Sequence, residues 1–202
     1  MQPKITTLFL DIGGVLLSNG WDRTSRKLAA EHFKLDLAEM NERHHLTFDT
    51  YELGKISLDE YLNRIVFYEP HTFSKEDFRN FMFSQSTILE DSIAYFKELK
   101  QEHNLKVIAV NNEGKELNEH RIKTFKLYEL FDGFISSCYV NFRKPDKDIF
   151  LMACGISQTK PHHAIHIDDR LMFVEVARSV GVQGLHYKGL EAAKEEIKTL
   201  SF

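Results

Sequence analysis

Basic excess, long apolar runs, paired cysteines and low-complexity tracts are what this 202-residue sequence lacks. With 26 Lys and Arg against 30 Asp and Glu, the formal charge is -4, so there is no electrostatic footprint for nucleic acid. No stretch approaches the roughly eighteen apolar residues of a membrane span, and the apolar run ahead of Asp11 is too short for a secretion signal. The two cysteines, Cys138 and Cys154, stand in apolar surroundings without ligand spacing and read as buried free thiols, which fits a reducing compartment. We therefore expect a cytoplasmic protein with no nucleic-acid or membrane partner. The ten histidines show no metal spacing, and the pairs His44 with His45 and His162 with His163 read as exposed. The length suits one domain with its own core and a small insertion.

What is present is an alternation of short apolar runs and helical periods. Ile5 to Leu10, Lys106 to Val110 and Ala164 to Ile167 each end in a polar residue, and Val182 to Tyr187 follows Gly181. Such runs read as buried strands of a parallel sheet. Ile93, Phe96 and Leu99 share a helical face, and Val174 to Arg178 marks a helix that stops at Gly181. Phe134 to Val140 reads as a further β-like stretch. This is the doubly wound α/β pattern.

Between the first strand and the rest, residues 18 to 88 read as helices only. Trp21, Leu28, Ala29, His32 and Phe33 recur at helical spacing, and Leu58, Tyr61, Leu62, Ile65 and Val66 make a second apolar face. Ser57 with Glu60, and Ser74 with Asp77, are capping-box signatures, with Phe73 and Phe78 at staple positions. The expectation is an all-helical unit over 18–88, inserted into an α/β core formed by 1–17 and 89–202.

In an open parallel sheet, ligands bind outside the carboxyl ends of the strands. Asp11, Asn111 and the Asp168–Asp169 pair all fall at that edge, from three different strands, and Lys144 follows in an Arg-Lys-Pro-Asp stretch. In these residues the sequence resembles the haloacid dehalogenase-like superfamily. LFLDIGGVLL (8–17), VIAVNN (107–112), RKPD (143–146) and HIDDR (166–170) look like its four motifs, in the right order, with the helical insertion matching its small cap.

That resemblance implies a Rossmann-like core and a Mg²⁺-dependent phosphatase of a small phosphorylated metabolite, such as a sugar phosphate. By resemblance, Asp11 is the nucleophile. The metal takes the carboxylates of Asp11 and Asp168 and the backbone carbonyl of Gly13, while Asp169 holds a metal-bound water or the lysine. Lys144 supplies a fixed ammonium. Asn111, where the family usually has Ser or Thr, and the backbone amide of Asn112 would donate to phosphoryl oxygens. The chemistry asks for these types: a carboxylate attacking a phosphate dianion needs a hard cation and an ammonium to cancel the repulsion.

The departure is Gly13. Most phosphatases of the superfamily carry there a second aspartate that protonates the leaving group, a role typically contributing about 10²- to 10⁴-fold in rate. A slow phosphatase is the first reading. A catalytically silent binder of a phosphorylated ligand or partner is the second, and a dehalogenase-type hydrolase the third, which the acidic pair opposes. Arg23, Arg26, Arg43, His44 and Lys55 are candidates for specificity from the cap, and His120 and Glu113 lie close enough to motif II to approach the site. A monomer or a homodimer is expected.

Overall fold

The computed structural model describes residues 3–89 and 91–202. Its centre is a five-stranded, fully parallel sheet of β1 (Thr7–Leu10), β2 (Lys106–Asn111), β3 (Gly133–Ser136), β4 (Ala164–Asp168) and β5 (Gln183–His186), in the spatial order β3-β2-β1-β4-β5. Alternate residues of β1 serve opposite faces. Leu8 and Leu10 join one apolar layer with Phe96, Leu99 and Val107, and Phe9 joins the other with Val110, Ile149 and Phe150. Both layers are covered by helices, α6 (Ser92–His103) and α11 (Leu190–Ile197) contributing to the first and α9 (Lys147–Ser157) and α10 (Leu171–Ser179) to the second. A sheet buried on both faces explains why its strands read as unbroken apolar runs. The strand order reverses around β1, where a doubly wound sheet opens a crevice at its carboxyl edge.

Phe134 to Val140 corrects the expectation of a continuous strand. After Ser136 the backbone turns into the short helix α8 (Ser137–Val140), and Ser137 Oγ donates to the carbonyl of Glu52. A polar anchor to the helical segment thus ends the apolar run. Cys138 and Cys154 are buried free thiols, pushed up by burial to about 12 and about 11.

From Arg23 to Ser84 the chain is helical. It forms α1 (Arg23–Phe33), α2 (Leu37–His45), α3 (Phe48–Glu52), α4 (Leu58–Ile65) and α5 (Lys75–Ser84), of which α2 and α3 go beyond the periodic faces visible in the sequence. The two capping boxes form reciprocally at Ser57–Glu60 and Ser74–Asp77, and the Phe73 and Phe78 rings stack at 6.2 Å. Asp22 and Asp36 cap α1 and α2 through backbone amides. Trp21, Ala29, Tyr61, Leu62, Phe78 and Met82 make a second apolar cluster, completed by Leu117 of α7 (Lys115–Thr124). Leu28, expected on the apolar face, is instead 45% exposed, because the face of α1 turned inward is that of Ser25, Arg26, Ala29 and Ala30. The chain leaves and re-enters the core side by side: Ser18 N donates to Thr87 O, Leu89 N donates to Leu16 O, and Leu17 bridges Ile88 antiparallel. Glu90, next to the expected boundary between 88 and 89, lies outside the described residues.

Candidate active site

Strand register sets the floor of the site. Leu10 pairs with Ala109 on one side and Ile167 on the other, so the next residues, Asp11, Val110 and Asp168, stand abreast at the carboxyl edge. Asp11 N donates to Ile167 O at 3.0 Å and fixes its position. Lys144, fully buried, places Nζ 3.0 Å from Asp11 Oδ2 and 2.6 Å from Asp168 Oδ2. Asn112 holds the backbone of that lysine from both sides: its Nδ2 donates to Lys144 O, and its Oδ1 accepts from Lys144 N. Asp168 Oδ2 also accepts from His166 Nε2, and its Oδ1 accepts from Arg170 N.

One ammonium serves two buried carboxylates here, and the charges do not balance. Burial pushes Asp11 up to about 7, with Lys144 opposing and Asp168 adding to the rise. Burial works against Asp168 as well, yet Lys144 and His166 hold its carboxyl well below the usual range. Lys144 stays above its ordinary value because the two carboxylates outweigh its own burial. Asp169, raised by burial, accepts from Asn19 Nδ2 through Oδ2, while its Oδ1 is buried without a hydrogen-bond partner among the described residues. Carboxylate oxygens of Asp11, Asp168 and Asp169 lie within 4.8 Å of one another. An acceptor left unsatisfied beside surplus negative charge is costly unless a cation completes it, and an all-oxygen set suits a hard divalent ion. These residues therefore fit a bound Mg²⁺.

The two glycines of the first motif differ. Gly14 has φ +73°, and a Cβ there would run into the Asp169 carboxylate, so only glycine lets the loop pass beneath the acid. Gly13 lies outside the left-handed region. A Cβ on it would meet Asn19 Oδ1 at 3.0 Å and Arg121 Nη1 at 3.8 Å.

Above this floor a cavity of about 310 Å³ opens between the sheet edge and the helical segment. Asp11, Gly13, Asn112 and Lys144 line it from below, and Arg23, Arg26 and His44 from above. Asn111 is placed differently from the expectation. It is 2% exposed, its Nδ2 donates to Asn118 Oδ1 and its Oδ1 accepts from Ser136 Oγ, so the carboxamide braces β2, β3 and α7 rather than facing the cavity. A buried amide takes the partners that burial offers.

Arg43 and Lys55 also fall away from the cavity: the Arg43 guanidinium lies over the Tyr68 ring and pairs with Glu39, and Lys55 is exposed. His120 stacks on Phe83 elsewhere. Of the histidines expected at the surface, His45 and His162 are exposed, but His44 and His163 are half-buried, and His44 faces the cavity. Its ring stacks on Phe48, and its Nδ1 meets the Tyr61 hydroxyl at 2.6 Å.

Glu113 lines the cavity, pushed up to about 7 by burial despite its ion pair with Arg121. Arg121, Arg143, Arg170, Glu52, Tyr51 and Tyr61 line it too and were not expected at the site, Tyr61 having been read only as part of an apolar helix face. For Arg143 and Arg170 the signal was adjacency to Lys144 and Asp169. For Arg121 and the tyrosines there was none.

A family model described as haloacid dehalogenase-like hydrolase matches residues 5–181. Among curated proteins, the sesquiterpene phosphatase astK of Aspergillus oryzae is 33% identical over 73 residues, 36% of this chain and 37% of that protein. The drimenol cyclase drtB of Aspergillus calidoustus is 24% identical over 201 residues, 97% of this chain and 36% of that protein. The matches thus span little more than a third of either relative's length. Among solved structures, the HAD family enzyme BT-2542 of Bacteroides thetaiotaomicron superposes with a TM-score of 0.82 at 21% identity, covering 96% of this chain and 99% of that one. Its complex with magnesium and inorganic phosphate gives a TM-score of 0.78 at 22% identity, covering 91% and 94%. A HAD-like family hydrolase of Porphyromonas gingivalis gives 0.76 at 18% identity, covering 97% and 99%. The neighbours agree on the fold, and with a family match running from the first strand to the end of α10, this chain belongs to the haloacid dehalogenase-like hydrolases.

Proposed function

We propose that this hydrolase is a Mg²⁺-dependent phosphatase of a small phosphorylated metabolite, working through an aspartyl-phosphate on Asp11. The observation that carries the reading is the clustering of Asp11, Asp168 and Asp169 within 4.8 Å around a buried Lys144. The naming of one relative as a phosphatase, and of a structural neighbour as a magnesium and phosphate complex, supports it. Asp11, Asp168, Asp169 and the Gly13 carbonyl would hold the ion, which supplies the positive charge that lets a carboxylate approach a phosphate dianion.

A carboxylate oxygen of Asp11 forms a bond to phosphorus while the ester P–O bond breaks and the leaving group takes the electron pair. Water then attacks the same phosphorus, releasing inorganic phosphate and restoring the carboxylate. Lys144 bears on Asp11 and balances charge on the transferring group, and Asn112 positions Lys144 while its backbone amide donates to a phosphoryl oxygen. Asn111 acts as a brace. We assign residues 18–88 as the cap that closes over 1–17 and 89–202 and selects the substrate, sugar phosphates being the first candidates. The same reading places the protein in the cytoplasm as a monomer or homodimer.

With glycine at position 13, leaving groups that depart as anions turn over fastest. That glycine is also the observation that favours a second reading, a binder of phosphorylated ligands without turnover.

A panel of sugar phosphates, nucleotides and an activated aryl phosphate, with Mg²⁺ and with EDTA, tests both. Mg²⁺-dependent release of phosphate that disappears in Asp11→Asn is expected. Turnover indifferent to the metal or to Asp11 rules the phosphatase out. Binding of phosphate or a phosphoryl mimic with no turnover of any ester moves the silent binder ahead.

A further inference from the structure

We propose that the roof of the cavity is a second anion site built on Arg26, so that the substrate carries a carboxylate or a further phosphate besides the phosphoryl group that meets Asp11. This deepens, and rests on, the phosphatase reading of the same cavity.

The cationic side chains around the cavity differ in how they are partnered. Arg121 is paired with Glu113, Arg143 with Glu52 and Asp49, and Lys144 with Asp11 and Asp168, while Arg170 has no ion pair among the described residues but is exposed to water. Arg26 is different. It is 9% exposed, yet among the described residues no carboxylate oxygen lies within the 4.0 Å of an ion pair. Its Nε donates to Asn41 Oδ1 at 2.9 Å and its Nη1 to the Trp21 carbonyl at 3.1 Å, both neutral acceptors. Those two bonds aim the guanidinium without neutralising it. The acid nearest in sequence, Asp22, spends its Oδ1 on Ser25 N at the start of α1.

A guanidinium remains charged in a protein, and a buried charge without a counter-ion is expensive. Asp22 also lines the cavity and its negative charge reaches Arg26, but among the described residues it makes no ion pair with the guanidinium. Tyr61 accepts from Trp21 Nε1 and so turns its hydroxyl hydrogen to His44 Nδ1. Burial, with Arg26 and His45 adding to it, pushes His44 down to about 3 and keeps it neutral. In that tautomer the single ring N–H of His44 is at Nε2, on a ring that lines the cavity. Arg23, one turn earlier on α1 and exposed, adds a further cation with no ion pair among the described residues.

The roof thus offers a planar donor fork, a neutral N–H and a second guanidinium, and it offers no acid of its own in contact with Arg26. That combination recognises a carboxylate or phosphate. The floor, with Asp11 and Lys144, takes the reacting phosphoryl group, so a molecule spanning the cavity is anionic at both ends. A monoester lacking the second anion would leave Arg26 buried and unpaired, which is how the site would discriminate.

The test is calorimetric titration of the Mg²⁺-loaded protein with phosphonoacetate, phosphonopropionate and phosphonobutyrate, each against the alkylphosphonate of the same length. Bisphosphonates of the same lengths separate a second phosphate from a carboxylate. At one chain length the two-anion compound should bind about tenfold or more tightly than its partner, the worth of one charge-assisted hydrogen bond in a buried site. Arg26→Gln should bring the two to parity, and Arg26→Lys should keep part of the preference. Equal affinity of the wild-type protein for both series at every length overturns the inference, even if Arg26→Gln fails to fold. So does a preference that survives Arg26→Gln in a variant with an unchanged melting curve. Failure of Mg²⁺-dependent turnover with the binding preference intact would sink the phosphatase reading and leave the anion site standing.

Discussion

Replacing Gly13 by aspartate asks whether this site lacks only a proton donor. The backbone there needs no left-handed conformation, so a side chain is not forbidden by φ. Its Cβ would sit 3.0 Å from Asn19 Oδ1, a few tenths of an ångström too close. Asn19 is exposed and, among the described residues, held by a single side-chain bond, Nδ2 to Asp169 Oδ2 at 3.3 Å, so it can swing outward. The cost is then that of one hydrogen bond, about 1 kcal/mol, or roughly 2–4 °C in Tm for a chain of this size. The gain depends on Arg121, whose Nη1 lies 3.8 Å from the new Cβ and would favour the ionised carboxylate. A donor held partly ionised delivers the low end of the usual contribution, about 10²-fold on a sugar phosphate and much less on an aryl phosphate that leaves unaided. Steady-state turnover of both substrates in both proteins, with melting curves alongside, reads the difference. Equal loss on the two substrates together with a lowered Tm would refute the missing-acid account and favour the silent binder.

Lys144→Met should cost about 3–5 kcal/mol in a urea titration, because it strands Asp11 and Asp168 as buried carboxylates, and the deficit should shrink as the pH falls and they protonate. A variant that melts with the wild type would mean the ion pairs contribute nothing. Asp11→Asn should stabilise the metal-free protein. Asp11 in the folded state is raised to about 7 from 3.8, so it destabilises the fold progressively as pH rises across that window, and the variant's advantage should grow over it and level off above. An advantage independent of pH would contradict this assignment. Mg²⁺ at about a hundred times its Kd should add about 2.7 kcal/mol of stability, seen as a rise in Tm that Asp168→Asn and Asp169→Asn each abolish. Tyr61→Phe should cost about 1–3 kcal/mol, since it leaves Trp21 Nε1 without its acceptor and removes the donor to His44. An unchanged melting curve would show that water replaces the hydroxyl at no cost.

Local chemistry is what the sequence by itself determined. Strands buried on both faces must be apolar throughout, so β1, β2 and β4 stood out, with the polar residues that end them marking the carboxyl edge. The caps at Ser57 and Ser74 rest on bonds three residues apart and were readable for the same reason, as was the requirement for carboxylates and an ammonium around a phosphoryl group. Tertiary structure decided everything that depends on where a side chain turns once its neighbours arrive. Asn111 stands at the carboxyl end of its strand as expected, but Asn118 and Ser136 compete for its amide and draw it inward. His44 reads as a surface residue until Tyr61 and Phe48 close around it. Arg121 carries no local signal at all: its place beside Gly13 comes from α7 crossing the loop more than a hundred residues earlier in the chain, where it donates to Ser18 O. Whether a buried arginine meets a carboxylate or only neutral acceptors is likewise a matter of packing between helices, which is why Arg26 could be named from the sequence but its unpaired charge could not.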